Sequence, residues 1–238
     1  MTLLRGSALS CAFDQASRTY DRLVAVNPGY HAQLRRSACR LGLPGGGAGL
    51  RLLDLGCGTG ASTAALLAAA PRAEIVAVDA SPGMLERAAA KTWPPGVSFV
   101  HGRAERLAEA GVAGPFDAVL AAFLVRNVED PDKLLVTLRE LLVPGGRLAV
   151  HEYVLSGSLL HRVAWAALCG GIVVPVGALA GDGRLYRHLA RSVADFGTAD
   201  RLAGRLRSAG FARVRSLPVP GWQTGLLHTT VGAAGAGR

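Results

Sequence analysis

The stretch Asp54-Leu55-Gly56-Cys57-Gly58-Thr59-Gly60 decides the fold of this 238-residue chain. It follows the apolar run Leu50–Leu53 and precedes Ser62–Leu67, whose residues favour a helix. An apolar run that ends in closely spaced glycines and leads into a helix is typical of a strand, a tight turn and a helix. This unit brings backbone close to a nucleotide-like ligand.

The glycine spacing alone fits two kinds of cofactor, because Gly56, Gly58 and Ala61 also satisfy the dinucleotide pattern G-x-G-x-x-G/A. Asp54 favours the other kind. A carboxylate beside the turn would repel a pyrophosphate over the helix N-terminus, whereas it suits the ammonium and sulfonium of S-adenosylmethionine (SAM). We therefore predict that SAM binds here rather than NAD. The predicted cofactor-binding residues of this block are Asp54, Gly56, Gly58, Thr59 and Gly60.

The next segments fit a SAM site. A second strand is predicted over Ala73–Val78, and it ends at Asp79, about twenty residues after the glycines. A carboxylate at this point can accept hydrogen bonds from both ribose hydroxyls. Ser81 is placed to cap a helix over Pro82–Lys91, since proline is favoured at the first helical position. This helix points Met84 back toward the cofactor.

Further strands are predicted over Val97–Val100, Phe116–Ala122 and Arg147–Val154, with a helix over Asp132–Leu142 between the last two. Strands that alternate with helices of this length predict an α/β fold with a doubly wound, mostly parallel sheet and helices on both faces.

Three regions are expected along the chain. Residues 1–48 form an N-terminal helical segment that closes over the cofactor, and residues 49–232 form the SAM-binding domain, with a helical cap at 155–195 inserted after the fifth strand. The low-complexity residues 233–238 are predicted to be a disordered tail.

Several blocks carry a resemblance to known families. The stretches Leu52–Gly60, Val78–Ser81 and Leu142–Leu148 resemble the signature blocks of class I SAM-dependent methyltransferases. The stretches Phe116–Val119 and Phe123–Val128 narrow this to a resemblance to the menaquinone/ubiquinone C-methyltransferase family. Weaker matches to the same family lie at Phe13…Tyr20-Asp21 and at Leu185–Leu189. The resemblance covers roughly residues 10–230 and implies a Rossmann-like, seven-stranded sheet.

The resemblance also implies roles for single residues. It implies that Arg126 activates the acceptor through water and that Tyr20 closes over the methionine end of SAM. Ala80 is expected at the cofactor beside Asp79, whose carboxylate accepts from the ribose. Two positions differ from the family. Arg103-Ala104 stands where Asp or Asn usually precedes Ala, and a guanidinium cannot accept the adenine amino hydrogens, so the Ala104 backbone or Glu105 takes over. Ala122 stands where the family often has Ser.

Methylation of a ring carbon sets a chemical requirement on the acceptor side. Removing the proton of a ring hydroxyl pushes electron density onto the carbon, which requires a base or a cation that stabilises the phenolate. Arg126 is the predicted cation at the carboxyl edge of the sheet. His151 ends the fifth strand and has an ordinary pKa near neutrality, so it is a candidate base. His188, in the block after the cap, is another.

Composition excludes other classes. The net charge of +9 comes mostly from dispersed arginines, and aromatic residues make up only 5% of the chain, so nucleic acid is not an expected partner. The four cysteines form no C-x-x-C pair, the six histidines show no ligand spacing, and no metal is expected. The N-terminus lacks a signal peptide pattern. We expect a cytoplasmic protein, either monomer or homodimer.

The segment Val163–Gly181 has no charged residue and the length of a membrane span. Three interpretations are open. The segment is a buried cap helix, or a wall for a lipophilic acceptor that brings the protein to the inner face of a membrane, or a transmembrane helix. The last would place two halves of one sheet on opposite sides of a bilayer.

Three functions fit this sequence. The first is C-methylation of a prenylated quinol or similar lipophilic ring. The second is C- or O-methylation of a polyketide or isoprenoid in specialised metabolism. The third is a SAM-binding cyclase or scaffold without methyl transfer.

Overall fold

The computed structural model describes residues 3–25, 27–155 and 157–235. Within these ranges the helices are α1 Gly6–Ala25, α2 Tyr30–Cys39, α3 Ala61–Ala69, α4 Pro82–Ala89, α5 Pro131–Glu140, α6 Leu159–Leu168, α7 Val174–Leu179, α8 Gly183–Phe196 and α9 Ala199–Ser208. The strands are β1 Arg51–Leu55, β2 Glu74–Asp79, β3 Val97–His101, β4 Phe116–Ala122, β5 Leu142–Tyr153, β6 Phe211–Pro218 and β7 Leu227–Ala234.

All seven strands form one sheet, in the order β3-β2-β1-β4-β5-β7-β6. Strands β1 to β5 run parallel, and β7 runs antiparallel to both β5 and β6. The predicted Rossmann-like, mostly parallel sheet is therefore confirmed. The strand order reverses between β1 and β4, and ligands of such sheets bind in the crevice at the carboxyl ends of the strands at this switch point.

The core lies on both faces of the sheet. Leu53 and Leu55 of β1 point to the face that α5 and α9 cover, and Leu52 points to the face that α2 and α3 cover. Both sets are buried. Because both faces of the central strands are buried, their sequences are continuously apolar and do not alternate between apolar and polar residues.

The boundary between α5 and β5 differs from the prediction. The helix ends at Glu140, and β5 begins at Leu142 instead of Arg147. Leu142 of β5 pairs with Phe116 of β4, and Arg147 of β5 pairs with Ala118 of β4. The register of the two strands shifts between these two pairs. Gly145 has φ 80°, so the Pro-Gly-Gly turn is taken up as a bulge inside the strand.

The end of the chain also differs. Ala233 pairs with Arg147, and Ala234 pairs with Phe211, so both residues belong to β7. The predicted disordered tail is wrong for these two positions, because β7 lies between β5 and β6 and is bonded on both sides. Residues 236–238 of that predicted tail lie outside the described residues.

The apolar segment is one helical run, Leu159–Leu179, in which a π-helical turn, Cys169–Val173, joins α6 to α7. An 18-residue stretch of it has a mean hydropathy of 1.7, so the run is long and apolar enough to cross a membrane. Only 17% of that stretch is buried. The interpretation as a buried cap helix is therefore wrong. The run follows β5, and the chain after it returns to the same sheet at β6 and then β7. The two ends of the run therefore belong to the same side of any bilayer.

Candidate active site

A cavity of about 510 Å³ lies at the carboxyl ends of the central strands. It is enclosed by the glycine turn after β1, by the turn after β4, by α1 above and by α6–α8 at its far end. Most of the predicted site residues line it, namely Tyr20, Gly56, Gly58, Thr59, Asp79, Ala80, Met84, Arg103, Ala104, Ala122 and Arg126. The predicted site residues outside its lining are Asp54, Gly60, His151 and His188.

The glycine turn holds its shape through backbone that only glycine adopts easily. Gly56, Gly58 and Gly60 have φ of 78°, 54° and 92°. No atom lies within 4 Å of the place where a side chain would start at Gly58, so this side of the turn is open to a ligand. At Gly60 the same position lies 2.8 Å from the ring of Trp93. Gly60 is thus required by packing and not by contact with the cavity.

Asp79 lies at the end of β2 and faces the cavity. Its Oδ2 accepts a hydrogen bond from the Gly58 N–H at 2.8 Å, and its Oδ1 accepts one from the Ser81 N–H at 2.9 Å. Burial raises the pKa of Asp79, and these hydrogen bonds oppose that effect. Since each carboxylate oxygen has two lone pairs, both can still accept a ribose hydroxyl.

The sequence predicts that Asp54 faces the cofactor. In the structure it lies beneath the turn and is not part of the cavity wall. Its Oδ2 accepts hydrogen bonds from Ser62 Oγ at 2.8 Å and Thr63 Oγ1 at 2.6 Å, which fixes the start of α3. Burial raises its pKa to about 7. Its Oδ1 is buried with no partner among the described residues. A cation bound at the turn would favour the charged form of this carboxyl.

Helix α1 closes the cofactor end of the cavity. Asp21 accepts a hydrogen bond from Thr59 Oγ1 at 2.5 Å and pairs with Lys91 at 3.2 Å, and Lys91 donates to the Thr59 carbonyl at 2.7 Å. Two turns earlier on the same face, Asp14 accepts from the Gly83 N–H at 2.7 Å. The helix is therefore tied to the glycine turn and to the start of α4, with Tyr20 on the cavity side.

Arg103 and Glu105 belong to the turn after β3. The Arg103 guanidinium pairs with Glu129 at 3.1 Å and with Glu105 at 3.5 Å. Both Arg103 and Glu105 line the cavity, next to the buried Ala104. The position of Glu105 is compatible with the prediction that it or the Ala104 backbone accepts from an adenine amino group, and that role stays a prediction.

Arg126 lies on the short 3₁₀ turn Val125–Asn127 after β4 and is almost fully buried. Its Nη1 forms an ion pair with Glu152 of β5, and its Nε donates to Ser192 Oγ at 3.2 Å. Burial raises the pKa of Glu152, and Arg126 opposes that effect. The ion-pair partner is Glu152 because β5 lies beside β4 in the sheet. The guanidinium remains on the cavity wall.

Neither histidine has the surroundings of a base that reaches a substrate. His151 is fully buried, its Nδ1 lies 2.7 Å from Ser37 Oγ, and burial lowers its pKa to about 3. His188 accepts from the Leu4 N–H at Nδ1, so its Nε2 carries the hydrogen and donates to Asn127 Oδ1 at 3.1 Å. Burial lowers its pKa to about 4. Both rings bond within the protein and neither lines the cavity. This argues against a role as base, and that role stays a prediction.

A row of aromatic rings lines another part of the cavity. Phe123 stacks between Tyr30, at 5.8 Å, and Tyr153, at 5.2 Å, and Tyr153 contacts Trp165 at 5.0 Å. Phe123 has φ 56°, which is rare for a bulky residue and is found where function holds the backbone in strain.

The polar residues of the cavity that were not predicted as site residues include Asn27, Tyr153 and Gln223. Strand alternation placed Tyr153 on the same side as His151, which is a usable signal. Asn27 and Gln223 lie in connecting segments that have no periodicity, and the sequence gives no signal for them.

The ubiE/COQ5 methyltransferase family model matches residues 1–222. The chain belongs to the ubiE/COQ5 methyltransferase family. It is 33% identical over 213 residues to the ubiquinone/menaquinone biosynthesis C-methyltransferase UbiE of Syntrophotalea carbinolica, covering 88% of each chain. It is 35% identical over 207 residues to the demethylmenaquinone methyltransferase of Thermus thermophilus, covering 84% of this chain and 91% of the relative.

Solved structures share the fold of this ubiE/COQ5 family member. A SAM-dependent methyltransferase of Thermotoga maritima, described as a possible histamine N-methyltransferase, superposes with a TM-score of 0.66 at 21% identity, over 95% of this chain and 99% of that one. Human N-acetylserotonin methyltransferase in complex with SAM gives a TM-score of 0.64 at 17% identity, over 95% of this chain and 57% of that one. At these identities the likeness concerns the fold alone.

Family membership makes the protein a SAM-dependent methyltransferase, and the third function, binding without transfer, is not favoured. The residues present fit the cofactor. Gly58 leaves an open side on the turn, Asp79 offers two acceptors to a ribose, and Asp54 Oδ1 is a buried acceptor without a partner among the described residues. Among those residues, no cluster of His, Cys, Asp or Glu could hold a metal ion.

Proposed function

We propose that the protein methylates a ring carbon of a prenylated quinol or a similar lipophilic, hydroxyl-bearing ring. One observation carries this proposal: a single cavity runs from the glycine turn, past Arg126 and the aromatic row, to the apolar run Leu159–Leu179. The methyl donor and a lipophilic ring would therefore share one compartment. The names of the relatives, which include ubiquinone, menaquinone and demethylmenaquinone, support a quinol acceptor.

The residues of the chain divide the work in this proposal. Bound SAM supplies an electrophilic methyl group. Asp79 and the turn at Gly58 hold the donor, and α1 keeps water from it. Water takes the proton of the ring hydroxyl, and the positive charge of Arg126 stabilises the phenolate that remains, which raises the electron density of the neighbouring ring carbon. After the methyl group has moved from the sulfur to that carbon, the carbon loses its hydrogen as a proton to water, the phenolate is protonated again, and S-adenosylhomocysteine leaves. Stacking on Phe123 holds the ring at near-attack distance, which is the main demand of an in-line methyl transfer.

The apolar run provides the wall for a prenyl tail. Leu168, Ile172, Val173 and Val176 line the cavity. Burial of apolar area contributes about 25 cal/mol per Å², so affinity should rise with each added isoprene unit until the cavity is full.

Val173→Asp is expected to raise the KM for a long-tailed quinol more than the KM for a short-tailed one, because the new carboxylate meets only the tail. Steady-state kinetics with quinols of increasing tail length measure this. Val136→Asp, on the exposed surface of α5 away from the cavity, is the matched control and should change neither value. Equal losses for both tail lengths in Val173→Asp would contradict a tail-binding wall.

We also propose that the protein contacts the inner face of a membrane without crossing it. The outer side of the apolar run, here called the apolar ridge, consists of Leu159, Leu160, Val163, Ile172, Val176 and Leu179. Leu159 is 75% exposed and Leu179 is 90% exposed. Patches of this kind mark interaction surfaces.

The partner that fits the ridge is an anionic lipid surface. Residues 157–181 contain an arginine and a histidine and no acidic residue, and the chain carries a net charge of +9, which anionic lipids attract. Ile172 and Val176 belong both to the ridge and to the cavity lining. A lipophilic acceptor would therefore pass from the bilayer to the cavity along one continuous apolar surface.

The double variant Leu159→Asp/Leu160→Asp is expected to lose most binding to vesicles of phosphatidylglycerol, because two charges would enter the lipid surface. Co-sedimentation with these vesicles and with neutral phosphatidylcholine vesicles measures the effect, with Val136→Asp as the control. Unchanged vesicle binding in the double variant, or a ridge that instead mediates a dimer seen by light scattering and lost in the double variant, would overturn the membrane contact.

A further inference from the structure

Asn27, Tyr153 and Gln223 form a polar corner in an otherwise apolar part of the cavity. The Tyr153 hydroxyl oxygen accepts hydrogen bonds from Gln223 Nε2 at 2.8 Å and from Asn27 Nδ2 at 3.5 Å. Gln223 is 2% exposed, and all three residues line the cavity. Because the Tyr153 ring lies between Phe123 and Trp165, the direction of its hydroxyl is fixed by packing.

The corner has hydrogen-bonding capacity that the protein does not use. Asn27 Oδ1 and Gln223 Oε1 are buried and have no partner among the described residues. The Tyr153 oxygen already accepts two N–H groups, so its own hydrogen is available to a third group. A buried polar atom without a partner costs about 1–3 kcal/mol, and buried polar atoms in native proteins are nearly always paired. A ligand in the cavity would supply the missing partners.

We propose that this corner binds one ring hydroxyl of the methyl acceptor: Tyr153 donates to the hydroxyl oxygen, and an amide oxygen of Asn27 or Gln223 accepts the hydroxyl hydrogen. The proposal rests on the proposed function, which places a hydroxyl-bearing ring in this cavity. Burial raises the pKa of Tyr153, so the phenol stays protonated near neutral pH and acts as a donor rather than as a base.

This arrangement selects the oxidation state of the acceptor. A hydroxyl both accepts and donates, so it satisfies Tyr153 and one amide oxygen together. A quinone carbonyl or a methyl ether only accepts, and it leaves both amide oxygens without a partner. Holding one hydroxyl in the corner also fixes the rotation of the ring in its plane, and this rotation decides which ring carbon meets the methyl group. The three residues thus determine both the reduced form and the position of methylation.

The test is a pair of probes in which the second has methyl groups in place of the two hydroxyl hydrogens. 1,4-Naphthohydroquinone and its dimethyl ether are titrated by calorimetry, without oxygen, into protein saturated with S-adenosylhomocysteine, which prevents turnover. The native protein is expected to prefer the hydroquinone by about tenfold, the effect of one lost buried hydrogen bond. In Asn27→Leu/Gln223→Met, which removes both amide oxygens, this preference should fall toward one. Tyr153→Phe removes a donor that both probes use, so it should weaken the binding of both probes by a similar factor.

Two features keep the result interpretable. S-adenosylhomocysteine binding should be unchanged in both variants, which shows that the cofactor end is folded, and Thr137→Val on the surface of α5 removes a hydroxyl without affecting the preference. A preference that persists in Asn27→Leu/Gln223→Met, or unchanged binding of both probes in Tyr153→Phe, would overturn the proposal. A native protein that prefers the hydroquinone but methylates no quinol would sink the proposed function and leave the corner standing. A native protein that methylates a quinol but does not prefer the hydroquinone over its dimethyl ether would overturn the role of the corner and leave the proposed function standing.

Discussion

Arg126→Ala is expected to abolish most methyl transfer and to destabilise the protein by about 3–5 kcal/mol, the cost of leaving a buried ion without its partner. Arg126 and Glu152 are both buried, and Glu152 is fully so. Once the guanidinium is lost, the donors to the Glu152 carboxylate among the described residues are the backbone N–H groups of residue 126 and Tyr153. Urea unfolding and the rate of S-adenosylhomocysteine release measure the two losses.

The destabilisation should depend on pH in one direction. Burial raises the pKa of Glu152 in the folded protein, and without Arg126 nothing of opposite charge offsets this. When the pKa of a carboxyl is higher in the folded state than in the unfolded state, the carboxyl costs no stability at a pH below its unfolded-state pKa. The free energy of unfolding then falls as the pH rises above the unfolded-state pKa. Arg126→Ala should therefore gain stability, relative to the native protein, as the pH falls from neutral toward about 4.

A double variant separates the two roles of Arg126. Arg126→Met/Glu152→Gln removes both charges at similar volume, so it should recover most of the stability, because replacing a buried ion pair by neutral groups is often close to neutral in free energy. It should still fail to transfer methyl groups. If this variant were stable and active, Arg126 would be a structural residue alone.

Asp79→Ala is expected to weaken SAM binding by roughly a hundredfold or more. If Asp79 accepts from both ribose hydroxyls as predicted, the variant loses two charge-assisted hydrogen bonds, each worth about 1.5–3 kcal/mol. It also releases the Gly58 and Ser81 N–H groups, which hold the glycine turn against the start of α4. Calorimetry with SAM and with S-adenosylhomocysteine measures the loss.

Asp79→Asn is the matched control for the shape of the turn. Its amide oxygen can still accept from one backbone N–H, so the loss of affinity should lie between those of the native protein and Asp79→Ala. Native affinity in Asp79→Ala would mean that the ribose lies elsewhere.

The cofactor half of the molecule could be predicted because its signals are local. Gly56 and Gly58 follow an apolar strand and have the positive φ that the turn needs. Asp79 follows the next strand and lies at the same sheet edge, since parallel strands bring their carboxyl ends together. Ser81 and Pro82 mark the start of α4, and the structure shows this cap.

The acceptor half could not be predicted, because it is assembled from residues far apart in the chain. Glu152 meets Arg126 through the pairing of β5 with β4. His151 is buried against α2 and His188 against the N-terminal residues, and the sequence does not show these contacts. The corner joins Asn27, Tyr153 and Gln223 from three separate segments.

Apolar composition also says nothing about which side of a helix is covered. The run Leu159–Leu179 therefore could not be recognised from the sequence as half wall and half exposed ridge.

The most direct test of the account is to incubate the protein with methyl-labelled SAM and a short-tailed demethylmenaquinol, without oxygen, and to determine by NMR where the label goes. We expect one S-adenosylhomocysteine per product, with the label on a ring carbon and both ring hydroxyls unchanged. Label on a ring oxygen, or S-adenosylhomocysteine without a methylated ring, would contradict it.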